Sequence, residues 1–257
     1  MFHLVRKFKS ERYQIFGVFE LFISKVVYMK QNFYIFRHGQ TDYNVEKRVQ
    51  SFLDIPLNSN GIAQAQVLAK NLSNVQFDCI YSSTLSRALD TAKIVLGGRK
   101  VKIITDPGLR ERNLGILCGK IMNLTDAPAD TLVDMSKDKI DMPAALLFNG
   151  DYAPENGESD NMFVQRVCDT ITKIAKNTNA KTVGIATHAG VISVFVRRFT
   201  KFNFSSMPNA EYIKLQWDGK NFSLPEPPEW LLKTQSLSFT SSISCPISNN
   251  SVRELHR

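Results

Sequence analysis

NFYIFRHGQTDYN, residues 32–44, is the stretch that decides the fold. A short run of mostly aromatic and aliphatic residues ends in Arg37, His38 and Gly39. Such a run, bounded by polar residues, predicts a short buried strand. In parallel sheets, ligands bind beyond the carboxyl ends of the strands, which is where this Arg-His-Gly triplet falls. The triplet is therefore a candidate part of a functional site.

Outward from this strand, the chain alternates between strand and helix patterns. Further strands are predicted at FDCIYSS, VKIIT and TVGIAT, and helices at NSNGIAQAQVLAKNL, TLSRALDTAKIVLGG, SDNMFVQRVCDTITKIAKNT and VISVFVRRFT. Residues 210–224 predict a hairpin with Asp218-Gly219 as its turn. This alternation predicts an α/β fold: a single domain with a mostly parallel central sheet in a three-layer αβα sandwich. In the first helix, the predicted buried face consists of Ile62, Ala65, Leu68, Ala69 and Leu72.

The pattern predicts a core domain over residues 30–222, with an N-terminal extension over 1–29. The apolar run in the extension is interrupted by charged residues and is too short to span a membrane. Two interpretations stay open. One is a membrane-surface helix, since Ile15, Phe19, Phe22 and Val26 share one helical face, and the other is a chain that normally starts at Met29.

Two further segments depart from the alternation. Residues 112–156 carry several prolines and many acidic residues, which predicts an irregular region with a helix or two, suited to a lid. Residues 223–257 begin with SLPEPPEW and become rich in serine, which predicts a disordered tail.

Charge and cysteine content narrow the function. The formal net charge of +8 favours anionic partners, but the Lys and Arg residues are scattered, which argues against nucleic acid. The charge then favours phosphorylated metabolites or an acidic membrane face, and the sequence makes no prediction of oligomeric state. The four cysteines, Cys79, Cys118, Cys168 and Cys245, have neither metal-ligand nor redox spacing. This predicts reduced thiols in a cytoplasmic protein, with no metal and no cofactor.

Four chemically capable residues follow four predicted strands. His38 follows the first strand, Arg87 lies in the first turn of the helix after FDCIYSS, Glu111 comes after the third strand, and His188 follows TVGIAT. Because the carboxyl ends of parallel strands meet at one edge of a sheet, we expect these side chains to face one crevice.

Six pieces of the sequence, all within about residues 30–222, resemble the histidine phosphatases. They are RHGQTDYN, LDIPLNSNGIAQA, YSSTLSRALDTA, LRERNLG, NGES and ATHAGV. The branch resembled includes cofactor-dependent phosphoglycerate mutases and small bacterial phosphatases. The resemblance implies that His38 is the nucleophile, forming a phosphohistidine, and that Glu111 is the proton donor. The residues it implies at the phosphoryl group are Arg37, Asn44, Arg87 and His188.

The chemistry of these residue types supports such roles. A neutral imidazole can attack phosphorus without a metal, and arginine side chains match the geometry of phosphoryl oxygens. A carboxyl group can protonate the leaving oxygen when its surroundings or the substrate's charge raise its pKa. Glu111 is the candidate, with Asp106 and Glu158 as rivals; Glu158 is expected instead to orient a neighbour or cap a helix.

The sequence favours a phosphatase over a mutase. Mutases carry a long insertion after the catalytic glutamate, with an Arg pair and a Tyr that hold the substrate carboxylate. Here 45 residues separate Glu111 from Gly157, no Arg-Arg pair occurs among them, and Leu114 takes the place of the Tyr. Gln50 and Ser51 are the predicted substrate-binding pair. Mutases usually have a small residue followed by Gly at these two positions, so the sequence does not predict which substrate is preferred. The alternatives are a cofactor-dependent phosphoglycerate mutase and a non-catalytic phospho-ligand binding protein.

Overall fold

The fold is described from a computed structural model for residues 30–200, 202, 204 and 207–235. A six-stranded sheet forms its centre, in the order β3-β2-β6-β1-β7-β8. Its strands are β1 (Gln31–Arg37), β2 (Cys79–Ser82), β3 (Lys102–Thr105), β6 (Thr182–Thr187), β7 (Tyr212–Trp217) and β8 (Phe222–Ser223). The strands β3, β2, β6 and β1 are parallel to one another. β7 pairs antiparallel with β1, and β8 pairs antiparallel with β7 at the edge of the sheet. The α/β fold class is confirmed.

The strand register brings three functional loops together. Arg37 at the end of β1 pairs with Thr187 at the end of β6, and Ser82 at the end of β2 pairs with Ala186. Directly beyond the strands, the His38 amide donates to the Thr187 carbonyl at 3.0 Å. The loops that begin with His38, Ser83 and His188 therefore start side by side at one edge of the sheet.

Helices cover both faces of the sheet. They are α1 (Asp42–Val45), α2 (Ser59–Asn71), α3 (Ser86–Leu96), α4 (Ala144–Leu147), α5 (Asp160–Asn177), α6 (Ala189–Phe199) and α7 (Glu229–Gln235). Phe33 and Ile35 of β1 pack in one core cluster with residues of α5, α6 and α7, while Phe36 packs in a second cluster with residues of α2 and α3. Alternate β1 side chains thus point to opposite layers, as the period of a strand requires.

The buried face of α2 is narrower than predicted. Ala65, Leu68 and Leu72 are buried, but Ile62 in the first turn is 42% exposed. The inclusion of Ile62 in the buried face was wrong. The start of α2 is instead held through Gly61, which packs directly against the backbone of Gln40. A side chain at this end of the helix therefore points away from the sheet.

The segment 112–156 is more ordered than its sequence indicates. It contains two strands, β4 (Ile121–Thr125) and β5 (Lys139–Pro143), which pair in parallel as a separate two-stranded sheet. Leu117, Ile140, Met142 and Leu147 form a small buried cluster of their own. The prediction of a helix or two on loops was wrong for these strands. Parallel pairing between segments this far apart leaves no local turn signal in the sequence.

The end of the core lies later than the predicted boundary at residue 223. Helix α7 follows that boundary, and its Leu231 is completely buried in the cluster that contains α5 and α6. Residues 224–235 therefore belong to the fold, which corrects the prediction that the tail starts at 223. The rest of the tail, from 236, and the extension over 1–29 lie outside the described residues. Within the described residues, no helix combines the length and apolar character needed to cross a membrane.

Candidate active site

His38 is a buried imidazole with one nitrogen committed to the backbone. Its Nδ1 lies 2.6 Å from the Gly39 carbonyl oxygen, which can only accept, so the proton of the neutral ring is on Nδ1. The lone pair of Nε2 is then available for attack. Burial, and then the positive charges of Arg37 and Arg87, lower the pKa of His38 well below its usual value. The ring is therefore uncharged at neutral pH.

His188 faces His38 from the end of β6. The two ring centroids lie 5.2 Å apart. His188 Nε2 lies 2.9 Å from Ser83 Oγ, which already accepts the Leu85 amide hydrogen at 3.3 Å. When the Ser83 hydroxyl donates to Nε2, the ring proton lies on Nδ1, from which it can be donated to a ligand. Burial, and then the charge of Arg87, lower the pKa of His188 well below its usual value.

A buried guanidinium group, of Arg87, and a half-buried one, of Arg37, accompany the histidines. Arg87, only 1% exposed, donates to the Leu53 and Ser51 carbonyls at 2.7 and 2.9 Å. Arg37 donates to the Met207 carbonyl. Burial lowers the pKa of Arg87 to about 10, with the charge of Glu111 opposing the shift. Both side chains remain cations at neutral pH, so the site concentrates positive charge.

Buried nitrogen atoms without a partner mark this site. Among the described residues, six buried side-chain polar atoms lack a hydrogen bond, and three of them are nitrogens of this group: Arg37 Nε, Arg87 Nε and His188 Nδ1. Buried donors are normally satisfied in folded proteins, so such a concentration needs a physical explanation. An anion that accepted hydrogen bonds from these nitrogens would supply one.

Glu111 is held by amide groups on two sides. Its carboxylate accepts from the Arg112 amide at 3.0 Å and from the Gly190 amide, in the first turn of α6, at 3.1 Å. A Cβ added at Gly190 would lie 2.2 Å from Glu111 Oε1, so only glycine lets the carboxylate lie here. Glu111 therefore enters the same edge of the sheet as the two histidines and two arginines.

The two rival carboxyl groups are engaged elsewhere. Asp106 accepts from the Gly108 amide at 2.8 Å in the turn before Glu111. Glu158 accepts from the Asn113 amide at 2.8 Å and forms an ion pair with Arg166. The expectation that Glu158 orients a neighbour is consistent with these contacts.

Asn44 lies in α1 and is linked to the His38 loop through Asn209. Its Oδ1 accepts from the Thr41 amide at 3.1 Å and from Asn209 Nδ2 at 3.3 Å, and Asn209 Nδ2 also donates to the His38 carbonyl at 3.1 Å. The oxygen of the side chain is therefore used by the fold. Its amide nitrogen has no hydrogen-bond partner in the described part of the chain, so it can donate to a ligand.

Gln50 and Ser51 have different surroundings. Gln50 Oε1 is buried without a partner in the described part of the chain. The Ser51 hydroxyl donates to the Arg112 carbonyl and accepts from the Leu114 amide, both at 2.8 Å. Ser51 also has a φ of 48°, in the left-handed region that favours glycine. Substrate contact by either residue stays a prediction, and the Ser51 hydroxyl is already occupied.

Gly39 lets the loop after β1 pack closely against the start of α2. A Cβ added there would lie 2.3 Å from the Gly61 carbonyl oxygen. Its amide donates to Thr91 Oγ1 at 3.1 Å, and Thr91 in turn donates to the Arg87 carbonyl at 2.7 Å. Glycine at position 39 therefore allows the close approach of this loop to the start of α2.

Two contributors were missed from the sequence. Ser83 lay within the quoted YSS motif, directly after a predicted strand, so its position at the edge was a usable signal. Arg166 lies three residues after Phe163 in α5 and next to Val167, both of which are buried. A charged residue at a position where the helical periodicity predicts an apolar one was also a usable signal. The Arg166 guanidinium donates to the carbonyls of Gly108, Arg110 and Glu111 at 2.9, 3.0 and 3.1 Å.

No group of three or more His, Cys, Asp or Glu side chains that could hold a metal ion occurs within the described residues. The three described cysteines, Cys79, Cys118 and Cys168, are free thiols.

Comparisons with known proteins place the chain among relatives of mixed activity. It is 33% identical over 170 residues to the Arabidopsis thaliana "Phosphoglycerate mutase-like protein 4", which covers 64% of this chain and 69% of the relative. It is 40% identical over 84 residues to "Probable phosphoglycerate mutase GpmB" of Proteus mirabilis, which covers 33% of this chain and only 39% of that relative.

A solved structure agrees in fold over nearly its whole length. The mycobacterial glucosyl-3-phosphoglycerate phosphatase superposes with a TM-score of 0.60 at 27% identity, covering 76% of this chain and 97% of that one. The model of the histidine phosphatase superfamily, branch 1, matches residues 33–226, which include both histidines, both arginines and Glu111. The chain is therefore a member of the histidine phosphatase superfamily (branch 1).

Proposed function

We propose that the protein is a metal-independent phosphomonoester hydrolase that acts on a small phosphorylated substrate through a phosphohistidine at His38. One observation carries this proposal. An uncharged, buried imidazole lies among buried nitrogen donors that have no partner in the described part of the chain. A phosphoryl group would accept those hydrogen bonds while its phosphorus faces the ring.

In the first half-reaction, His38 Nε2 attacks phosphorus and the bond to the leaving oxygen breaks. The negative charge on the phosphoryl oxygens is stabilised by Arg37, Arg87 and the Nδ1–H of His188, without a metal ion. Glu111 gives its proton to the leaving oxygen, so the alcohol departs neutral. The products of this step are the alcohol, the phosphohistidine and the Glu111 carboxylate.

In the second half-reaction, water replaces the alcohol. The Glu111 carboxylate takes a proton from the water, whose oxygen attacks phosphorus while the bond to Nε2 breaks. Inorganic phosphate leaves, and both His38 and Glu111 return to their starting states. The amide donors from Arg112 and Gly190 keep the carboxylate oriented through both steps.

A phosphoglycerate mutase is the second candidate, and the names of two relatives favour it. A mutase returns the phosphoryl group to a second oxygen of the substrate and must exclude water. The 45 residues between Glu111 and Gly157 lack the Arg pair expected of a mutase and carry Leu114 at the place of the Tyr. These features support the hydrolase, as does the name of the mycobacterial phosphatase. A cytoplasmic location stays a prediction.

Release of phosphate from p-nitrophenyl phosphate in EDTA tests the proposal. We expect turnover in EDTA and acid-labile ³²P on the wild-type protein, both abolished in His38→Ala. Activity that is lost in EDTA and restored by Mg²⁺ would refute metal independence. Acid-labile ³²P retained by His38→Ala would refute the nucleophile. Demand for a bisphosphoglycerate primer would identify the mutase, and phosphate binding without labelling or turnover a non-catalytic binding protein.

A further inference from the structure

Arg110 is a guanidinium fixed in place but left without an anionic partner. Its Nε donates to Thr84 Oγ1, and its guanidinium carbon lies 5.2 Å from the centroid of the Phe52 ring. Stacking on an aromatic face and one hydrogen bond restrict the side chain to one position. Its two terminal nitrogens form no hydrogen bond or ion pair with any described residue.

The other half-buried or buried arginines in the described part of the chain use one or both terminal nitrogens within the fold, and Arg37 uses one of them, on the Met207 carbonyl. Each of the following donates from both terminal nitrogens to carbonyl or carboxylate oxygens: Arg48, Arg87, Arg99, Arg112 and Arg166. Arg110 differs in offering two free, parallel donor groups. Such a fork matches the two oxygens of a carboxylate or phosphate.

The position of Arg110 relates it to the candidate active site. It directly precedes Glu111, the group proposed to protonate the leaving oxygen. Its hydrogen-bond partner Thr84 directly follows Ser83, which binds His188. The stacked Phe52 lies between Ser51 and Leu53, whose carbonyls hold Arg87. Arg110 therefore joins three of the segments that carry or hold groups of the candidate site.

We propose that Arg110, stacked on Phe52, binds a second anionic group in the alcohol part of the substrate. This inference rests on the proposed function, because it takes the alcohol to lie on the Glu111 side of the phosphoryl group. The substrate class is then a phosphomonoester whose alcohol carries a carboxylate or a further phosphate. Esters of uncharged alcohols would bind through the phosphoryl group alone.

Binding of matched ligands to the full-length His38→Ala protein tests the proposal by calorimetry. 3-Phosphoglycerate and glycerol 3-phosphate share the carbon skeleton and differ by one carboxylate. Fructose 1,6-bisphosphate and fructose 6-phosphate differ by one phosphate, so the two pairs distinguish the two anions. A hydrogen-bonded ion pair predicts about tenfold or tighter binding of the doubly anionic member of at least one pair.

Arg110→Gln in the same background should reduce that preference to about twofold or less, and Arg110→Lys should leave part of it. Arg48→Gln is the matched control, because Arg48 is paired with Glu46 and Asp138 and its loss should leave the ratio of Kd values unchanged. A long-range charge effect would lower the ratio equally in both glutamine variants.

No preference in either pair for the protein with Arg110 intact would overturn the subsite, and this result does not depend on how Arg110→Gln folds. A preference that survives Arg110→Gln would also overturn it. If the preference depends on Arg110 but wild-type protein releases phosphate from neither these ligands nor p-nitrophenyl phosphate, the hydrolase proposal fails and the anion subsite stands.

Discussion

Glu111 makes the proposed chemistry testable at the scale of a single residue. If it protonates the leaving oxygen, Glu111→Gln should slow cleavage of an alkyl phosphate by about 10²–10⁴-fold, the usual worth of general acid catalysis. p-Nitrophenolate leaves largely without protonation, so its ester should lose less. Pre-steady-state bursts must be recorded with both substrates, so that phosphoenzyme formation is compared.

The contrast between the two esters decides the role of Glu111. Equal losses in phosphoenzyme formation for both would show that Glu111 is not the acid. Asp106→Asn and Glu158→Gln would then be the next variants, although their carboxylates are occupied by the Gly108 amide and by Arg166 respectively.

The buried histidines make stability depend on pH. Burial lowers the pKa of both His38 and His188 well below 6.5, so the folded protein leaves them unprotonated where the unfolded chain binds protons. The free energy of unfolding is therefore not reduced by these histidines above pH 6.5, and it decreases as the pH falls below 6.5. Each histidine adds a slope of up to about 1.4 kcal/mol per pH unit to the free energy of unfolding.

Urea unfolding of wild type and His38→Gln between pH 5 and 8 measures this slope. We expect the variant to lose less stability on acidification, by up to about 1.4 kcal/mol per pH unit below pH 6.5. Parallel profiles for the two proteins would mean that His38 titrates normally in the fold.

At the scale of elements, the segment that carries Glu111 is held by one side chain of α5. All five N–H donors of Arg166 are used: three on the carbonyls of Gly108, Arg110 and Glu111, and two on the Glu158 carboxylate. A lysine has a single ammonium group and cannot reproduce this fork. The position of the acid thus depends on a helix far along the chain.

Arg166→Lys should therefore affect the leaving-group acid more than phosphate binding. We expect a larger loss in phosphoenzyme formation with an alkyl phosphate than with p-nitrophenyl phosphate, and little further loss when it is combined with Glu111→Gln. Arg112→Lys is the control, because the Arg112 side chain binds the carbonyls of Leu147 and Glu158, forms no hydrogen bond with Glu111, and keeps its positive charge in this variant. A similar ester dependence in Arg112→Lys would indicate general loosening of the segment.

At the scale of the whole molecule, helix α7 closes the core that contains α5 and α6. Leu231 is completely buried there, whereas its neighbour Leu232 is 49% exposed. Leu231→Ala should lower the free energy of unfolding by about 2–5 kcal/mol, and Leu232→Ala should change it by less than about 0.5 kcal/mol. Denaturant unfolding of the two full-length variants checks this.

Two deletions, of residues 236–257 and of residues 224–257, also test whether α7 stabilises the fold. The longer deletion removes α7 and should lower the melting temperature more than the shorter one. Equal melting temperatures for the two deletions would show that α7 adds nothing to the fold and that the core ends at the sequence-predicted boundary.

The central sheet could be predicted because its signals are local. Each of β1, β2 and β6 is a short apolar run, and the helices between them carry their own periodicity and caps, such as Ser159 at the start of α5. The parallel strands β4 and β5 were missed, because the alternation of polar and apolar residues in β5 is only a few residues long and the partner strand lies more than ten residues away along the chain.

By itself, the sequence determined which residue types stand at the carboxyl ends of the strands: Arg37 and His38 after β1, Arg87 beyond β2, and His188 after β6. The tertiary structure decided which of their nitrogens remain unpaired and which groups hold them, as in the contacts from Ser83 to His188 and from Arg166 to Glu111. The physical reason is the separation along the chain of the residues that interact. Strand and helix patterns arise from neighbours along the chain, whereas a hydrogen-bond partner more than 50 residues away exists only once the chain has packed.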